Sequence, residues 1–182
     1  WTEQPGRRLV IAHSLGIHLL PETILQRADA LVSLAGFTAF VPAGASGRAL
    51  AVALKGMASS LGTAEEAGML RKFLTRCASP LPLSALPNNA LLQGLDPPGR
   101  QRLQQDLALL QQCRDLPEGW PEAAKVLVVQ GEQDAIVCPE SRVQLLQALN
   151  MARTDHVLRP DEGHALVTPA VLDLVLRWAG HP

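Results

Sequence analysis

No excess charge of either sign marks this sequence. Over 182 residues, 16 Lys and Arg stand against 17 Asp and Glu, a formal net charge of −1. A dedicated nucleic-acid binder carries a basic excess, so that class is excluded. Long hydrophobic runs are missing as well: no apolar stretch approaches the roughly 18 residues of a spanning helix. Cysteine is scarce and odd in number, with Cys77, Cys113 and Cys138 far apart and no C-x-x-C. That argues against a disulfide framework or a zinc site and for a reducing, cytoplasmic compartment. No basic-then-apolar secretory segment is present. G-x-G-x-x-G, P-loop and metal-ligand spacings are absent too, so no cofactor and no metal are expected. What is present is aliphatic. With 47% hydrophobic and 18% charged residues, wholesale disorder is excluded. The length suits one domain with a real core, or one domain with a modest insertion. Residue 1 is Trp and the first Met is Met57, so the chain reads as processed or as part of a longer one.

The C-terminal third alternates aliphatic runs with helical patterns, the mark of a parallel sheet. Residues 125–130 read as a buried strand ended by Gly131. A helix is expected over 139–149, with Val143, Leu145, Leu146 and Leu149 at helical spacing, then a short strand over 156–159. Thr168 is expected to cap a last helix with Pro169 at its first position. The N-terminal end alternates in the same way. Strands are expected at 8–12 and 30–35, with a helix from Gly16 to Ala28 that Pro21 should break or shorten. Between Val41 and Ala124 the pattern is helical throughout. Helices are expected at 46–61, at 63–76 behind a Thr63-to-Glu66 capping box, at 89–95, and from Asp96-Pro97 onward with Leu103, Leu107 and Leu110 on one face. Such a block between parallel strands predicts a lid over the sheet. The expected organisation is core at 1–40, lid at 41–124 and core again at 125–182.

The sharpest motif is Leu9-Val-Ile-Ala-His-Ser-Leu-Gly16, a buried strand running through small-x-Ser-x-Gly into a helix. A serine on such a turn is held out at the strand end, flanked by small side chains. Ala12 stands at the first small position and Gly16 at the second. The helix start after Ser14 would aim free amides at developing negative charge. A serine nucleophile needs a base, and the base an orienting acid. Asp134 lies in the loop after strand 125–130, and His164 in the loop before the last helix. Loops at one edge of a parallel sheet converge, so Ser14, Asp134 and His164 are candidates for one site.

The order Ser, Asp, His along these strand ends resembles that of the α/β-hydrolases, and the resemblance covers essentially the whole chain. It implies an α/β fold, mainly a parallel sheet with an inserted helical lid, the N-terminal strands of the family being missing here. It further implies Ser14 as nucleophile, His164 as general base and then acid, Asp134 as its partner, and the Leu15 backbone amide as one oxyanion donor. The family takes its second donor from a loop upstream of the nucleophile strand. Within the superfamily the chain resembles carboxylesterases of biotin synthesis that demethylate pimeloyl-acyl-carrier-protein methyl ester. The residues concerned are 13–21, 28–40, Leu91-Leu-Gln-Gly-Leu95 and the region near Cys113-Arg-Asp-Leu116. The substrate implied is an ester carried by an acyl carrier protein. Alternatives are a broad small-acyl esterase or thioesterase, and a non-catalytic hydrolase-fold module.

Other residues are weighed beside these. Asp155 and Asp161 compete with Asp134 but lie beside His164, out of order for this fold. His13 is expected to point away from the base and to serve packing or hydrogen bonding. His18 is expected to be structural or pocket-lining, and Cys138 a small packing residue. Residues 37–114 carry a net charge of +4 and residues 115–182 a net −5. A basic lid suits an acidic carrier protein, and equally an ordinary solvated surface. Lys55, Arg71, Lys72 and Arg76 are the docking candidates. Phe37, Phe40, Met57, Met69 and Phe73 are the candidate lining of an apolar substrate pocket.

Overall fold

A computed structural model describes residues 6–87 and 90–180 of the chain. Its sheet has four strands, β1 (Leu9–His13), β2 (Ala30–Leu34), β3 (Lys125–Gly131) and β4 (Thr154–Arg159), in the order β1-β2-β3-β4. All three pairings are parallel. Strand β3 sits inside the sheet and is covered on both faces, so six of its seven residues are buried and the run is aliphatic without alternation. Val126 and Val128 pack on one face with Val10, Leu31, Leu25 and Leu145. Leu127 and Val129 pack on the other with Val32, Val171 and Val175. Helices α1 (Glu22–Leu25) and α5 (Pro139–Ala148) therefore cover the first face, and α6 (Pro169–Trp178) the second. All four expected strands form, with boundaries moved by one or two residues.

The helical stretch expected from Gly16 to Ala28 is broken at Pro21, as its sequence predicts, and its first part is not α-helical. Ser14–Leu19 is a 3-10 turn, and only one turn of α1 follows. Pro21 explains this: the residue before a proline is driven to extended geometry, and Leu20 has φ −77° and ψ 137°.

Between β2 and β3 the chain is helical among the described residues: α2 (Ala45–Ser60), α3 (Glu66–Ala78) and α4 (Pro97–Gln112). Helix α4 starts as its sequence dictates, with the Asp96 side chain accepting from the Gly99 amide at 2.8 Å and prolines in the first turn. The expected helix at 89–95 is a short 3-10 turn, Ala90–Gln93, and residue 89 lies outside the described set. The Thr63 capping box is replaced by a related arrangement. Glu66 reaches back to the Gly62 amide at 2.6 Å, and the same carboxylate accepts twice from Arg100, at 2.6 and 3.0 Å. That fork ties α3 to α4. Phe40, Leu54, Leu103, Leu107 and Leu110 pack together with Leu15, Ile136 and Val137, which seats this helical cluster on the ends of β1 and β3. No helix of the described residues is long and apolar enough to cross a membrane.

Candidate active site

Strand β1 ends at His13, and Ser14 turns the chain with φ 53°. For a residue with a Cβ this left-handed conformation costs about 1–2 kcal/mol. A strained residue at a strand end is a common property of reactive positions. A Cβ added at Gly16 would meet only the Ala12 Cβ, at 4.0 Å, so that position is less crowded than the motif suggests. Leu15 follows Ser14 in the 3-10 turn, and its N–H precedes the first turn bond, with no acceptor inside the turn.

His164 and Asp134 meet as the sequence order suggests. Nδ1 of His164 donates to Oδ2 of Asp134 at 2.9 Å, and the two side chains are 5% and 0% exposed. The other carboxylate oxygen accepts from the Ile136 amide at 2.7 Å and the Val137 amide at 2.9 Å. Both lone-pair sides of the acid are thus committed, and its orientation is fixed by its own loop. That pattern is legible in Asp134-Ala-Ile-Val137, because an aspartate often accepts from amides two and three residues on.

Ser14, Leu15 and His164 line one cavity of about 840 Å³. Its walls are mainly apolar and come from the helical cluster, among them Leu50, Met57, Met69, Phe73, Leu103 and Leu110. Among the described residues no hydrogen bond joins Ser14 to His164, a looseness common before substrate closes a site. Of the expected lining residues, Phe40, Met57, Met69 and Phe73 border this cavity. Phe37 does not. It is 1% exposed, stacked on the His18 ring at 5.3 Å and edge-on to Phe40, so it belongs to the core beneath. Lys55, Arg71, Lys72 and Arg76 are all exposed on α2 and α3. Lys72 and Arg76 also reach the cavity rim, and Nη2 of Arg76 donates to the Ala135 carbonyl at 2.5 Å.

His13 is a correction. Its ring does not point away from the base: Nε2 donates to the His164 carbonyl at 2.8 Å, and the two rings meet edge-on at 5.0 Å. The flank of His13 is open while this nitrogen is covered. Loss of water around the ring lowers its pKa, opposed in part by that hydrogen bond, so it is neutral at pH 7. His18 is likewise lowered by burial and donates to the Phe37 carbonyl at 2.9 Å, a structural role. Asp155 accepts from the Trp178 indole at 2.7 Å and Asp161 is exposed, so neither meets His164. Cys138 contacts the Ser141 hydroxyl at 3.3 Å. Burial, helped by the Asp134 charge, pushes the Cys77 thiol up to about 12, so it stays protonated.

The base loop has two further ties that the sequence did not suggest. Glu162, buried beside His164, accepts from the Thr168 hydroxyl, so that hydroxyl does not cap α6 as expected. Gly163 lies against the chain leaving α3, where a Cβ would come within 1.7 Å of the Ser79 carbonyl oxygen.

No protein-family model matches the chain, and no curated protein matches it by sequence. Solved structures do match. An α/β-hydrolase from a Medee basin deep-sea metagenome library aligns with a TM-score of 0.70 at 16% identity, covering 97% of this chain and 66% of that one. An esterase from Exiguobacterium antarcticum aligns at 0.64 and 14%, covering 93% and 64%. A 2-hydroxy-6-oxo-6-phenylhexa-2,4-dienoate hydrolase from Rhodococcus aligns at 0.62 and 15%, covering 94% and 63%. The chain has the α/β-hydrolase fold, and it spans somewhat under two thirds of the length of these structures.

Proposed function

We propose that this chain is a serine carboxylester hydrolase working through an acyl-enzyme. The observation that carries the reading is the buried His164–Asp134 pair, opening on a cavity that also exposes the strained Ser14. Ser14 Oγ attacks the ester carbonyl carbon while His164 Nε2 takes its proton. Asp134 holds the Nδ1–H and stabilises the imidazolium, and the Leu15 N–H faces the oxyanion. The tetrahedral intermediate collapses, and His164 returns the proton to the departing alcohol. Water then gives its proton to His164 and attacks the acyl-enzyme, releasing the acid and restoring Ser14. The helical block acts as a lid, and its apolar cavity walls suit an acyl chain more than a polar one.

A fluorophosphonate probe tests this directly. One adduct is expected, on Ser14, mapped by mass spectrometry, with labelling slowed at least about 100-fold in His164→Ala. An adduct elsewhere, or equal rates in the two proteins, would overturn the assignment.

The finer reading is a methyl ester of an acyl chain borne on an acyl carrier protein, as in biotin synthesis, with methanol as the alcohol released. The exposed bases on α2 and α3 support it, since they offer charge to an acidic partner. Lys55→Ala/Arg71→Ala is the discriminating variant, because neither residue lines the cavity. At low ionic strength its kcat/KM for a carrier-bound methyl ester is expected to fall roughly fivefold or more, an effect lost in salt, while p-nitrophenyl butyrate is hydrolysed as before. An unchanged carrier-bound rate favours a broad small-acyl esterase instead. Failure to hydrolyse either ester favours a non-catalytic module.

A further inference from the structure

The last turn of α3 touches the Asp134 loop in a way that carries a consequence for the site. Nη2 of Arg76 donates to the Ala135 carbonyl at 2.5 Å, across 59 residues of sequence. That carbonyl and the Ile136 N–H belong to one peptide group. The Ile136 N–H in turn donates to Asp134 Oδ1 at 2.7 Å. Because a trans peptide is planar, its C=O and N–H point in opposite directions, and fixing one aims the other. The guanidinium therefore aims and polarises the amide that orients the acid, and hydrogen bonds in such a series strengthen one another. Oδ2 of the same carboxylate holds His164 at 2.9 Å. Three residues beyond Arg76, the Ser79 backbone abuts Gly163, next to His164. One helix end thus meets both the acid loop and the base loop.

We infer that Arg76 is a positioning residue: through the Ala135–Ile136 peptide it sets the orientation of Asp134, and so the geometry of the Asp134–His164 pair. This rests on the hydrolase reading above for its kinetic consequence, but not for its structural one. Arg76 is one of four bases considered for carrier docking, and this bond gives it a separate role at the foot of the lid.

Two measurements test it. The first needs no activity. In proton NMR the Nδ1–H of His164, hydrogen-bonded to Asp134, is expected as a far-downfield signal in the intact chain. It should be lost to exchange or shifted in Arg76→Ala and recovered in Arg76→Lys, which retains a cationic donor. Far-ultraviolet circular dichroism and thermal melting check that both variants are folded. An unchanged signal in folded Arg76→Ala overturns the inference. The second is kinetic. On p-nitrophenyl butyrate, Arg76→Ala is expected to lower kcat about 10- to 100-fold with KM within about twofold, because misplacement by fractions of an ångström acts on the transition state. Added to Asp134→Asn, it should cost less than about threefold, since the carboxylate it orients is gone. Losses that multiply independently, or a raised KM with unchanged kcat, would overturn it too. If the NMR signal follows Arg76 while no ester is hydrolysed, the positioning role stands and the hydrolase reading fails.

Discussion

Asp134→Asn is expected to lower kcat for ester hydrolysis by about 10⁴-fold with little change in KM. The magnitude follows from which way the amide must face. Oδ1 of Asp134 accepts from two backbone amides, Ile136 and Val137, at 2.7 and 2.9 Å. An asparagine can satisfy both donors only with its carbonyl oxygen in that place. Its NH₂ is then forced into the position of Oδ2, facing His164 Nδ1. The imidazole must accept there and carry its proton on Nε2, the tautomer that cannot receive the Ser14 proton. Negative charge beside the imidazolium is lost in the same step. Steady-state rates on p-nitrophenyl butyrate check this, with Asp155→Asn as the comparison. Asp155 accepts from the Trp178 indole on the exposed edge of β4, and its replacement should leave kcat unchanged. A loss below tenfold in Asp134→Asn would remove this residue from its role.

Gly163→Ala is expected to unsettle the fold and the site together. The added Cβ would lie 1.7 Å from the Ser79 oxygen and 2.8 Å from its carbonyl carbon, both backbone atoms. No rotamer change relieves such an overlap. Either the base loop or the chain leaving α3 has to move, and the base loop has little freedom. Gly131, at the end of β3, lies behind it, where its own Cβ would meet the Gly163 oxygen at 2.3 Å. Overpacking of this kind costs about 3 kcal/mol, which lowers Tm by about 6–12 °C in a protein of this size. Because His164 is the next residue, kcat should fall about 100-fold even at temperatures where the variant is folded. Gly56→Ala is the contrast. It lies inside α2 with nothing within 4 Å of the added Cβ, and should raise stability by about 0.5–1 kcal/mol. Thermal melting that ranks the two variants equally would contradict this picture of a three-backbone contact.

The two glycines show how sequence and structure divide the information. Both are visible in the sequence, Gly131 as the residue ending a strand and Gly163 as a loop residue before His164. Nothing local says that Ser79, more than 80 residues from Gly163, presses against it. The same holds for Arg76. Its type and helical position suggest a solvated base, and only the fold places a carbonyl of the acid loop within its reach. His13 shows the limit from the other side. Strand alternation places its side chain on one flank of β1, but the His164 carbonyl comes to that flank by a loop whose path local propensities do not fix.

What the sequence determined by itself is the set of strands, their parallel character, and the order of Ser14, Asp134 and His164 at the strand ends. These follow from aliphatic runs, from proline and glycine punctuation, and from period, all of which act over a few residues. It also determined much of the acid's own hydrogen bonding, since the Asp134 loop folds back on itself within four residues. The tertiary structure decided the rest. It moved Phe37 from the cavity to the core, against His18 and Phe40. It brought the end of α3 against both loops of the candidate site. Those outcomes depend on contacts between residues far apart in the chain, whose strength is set by packing once the sheet and its helices have assembled.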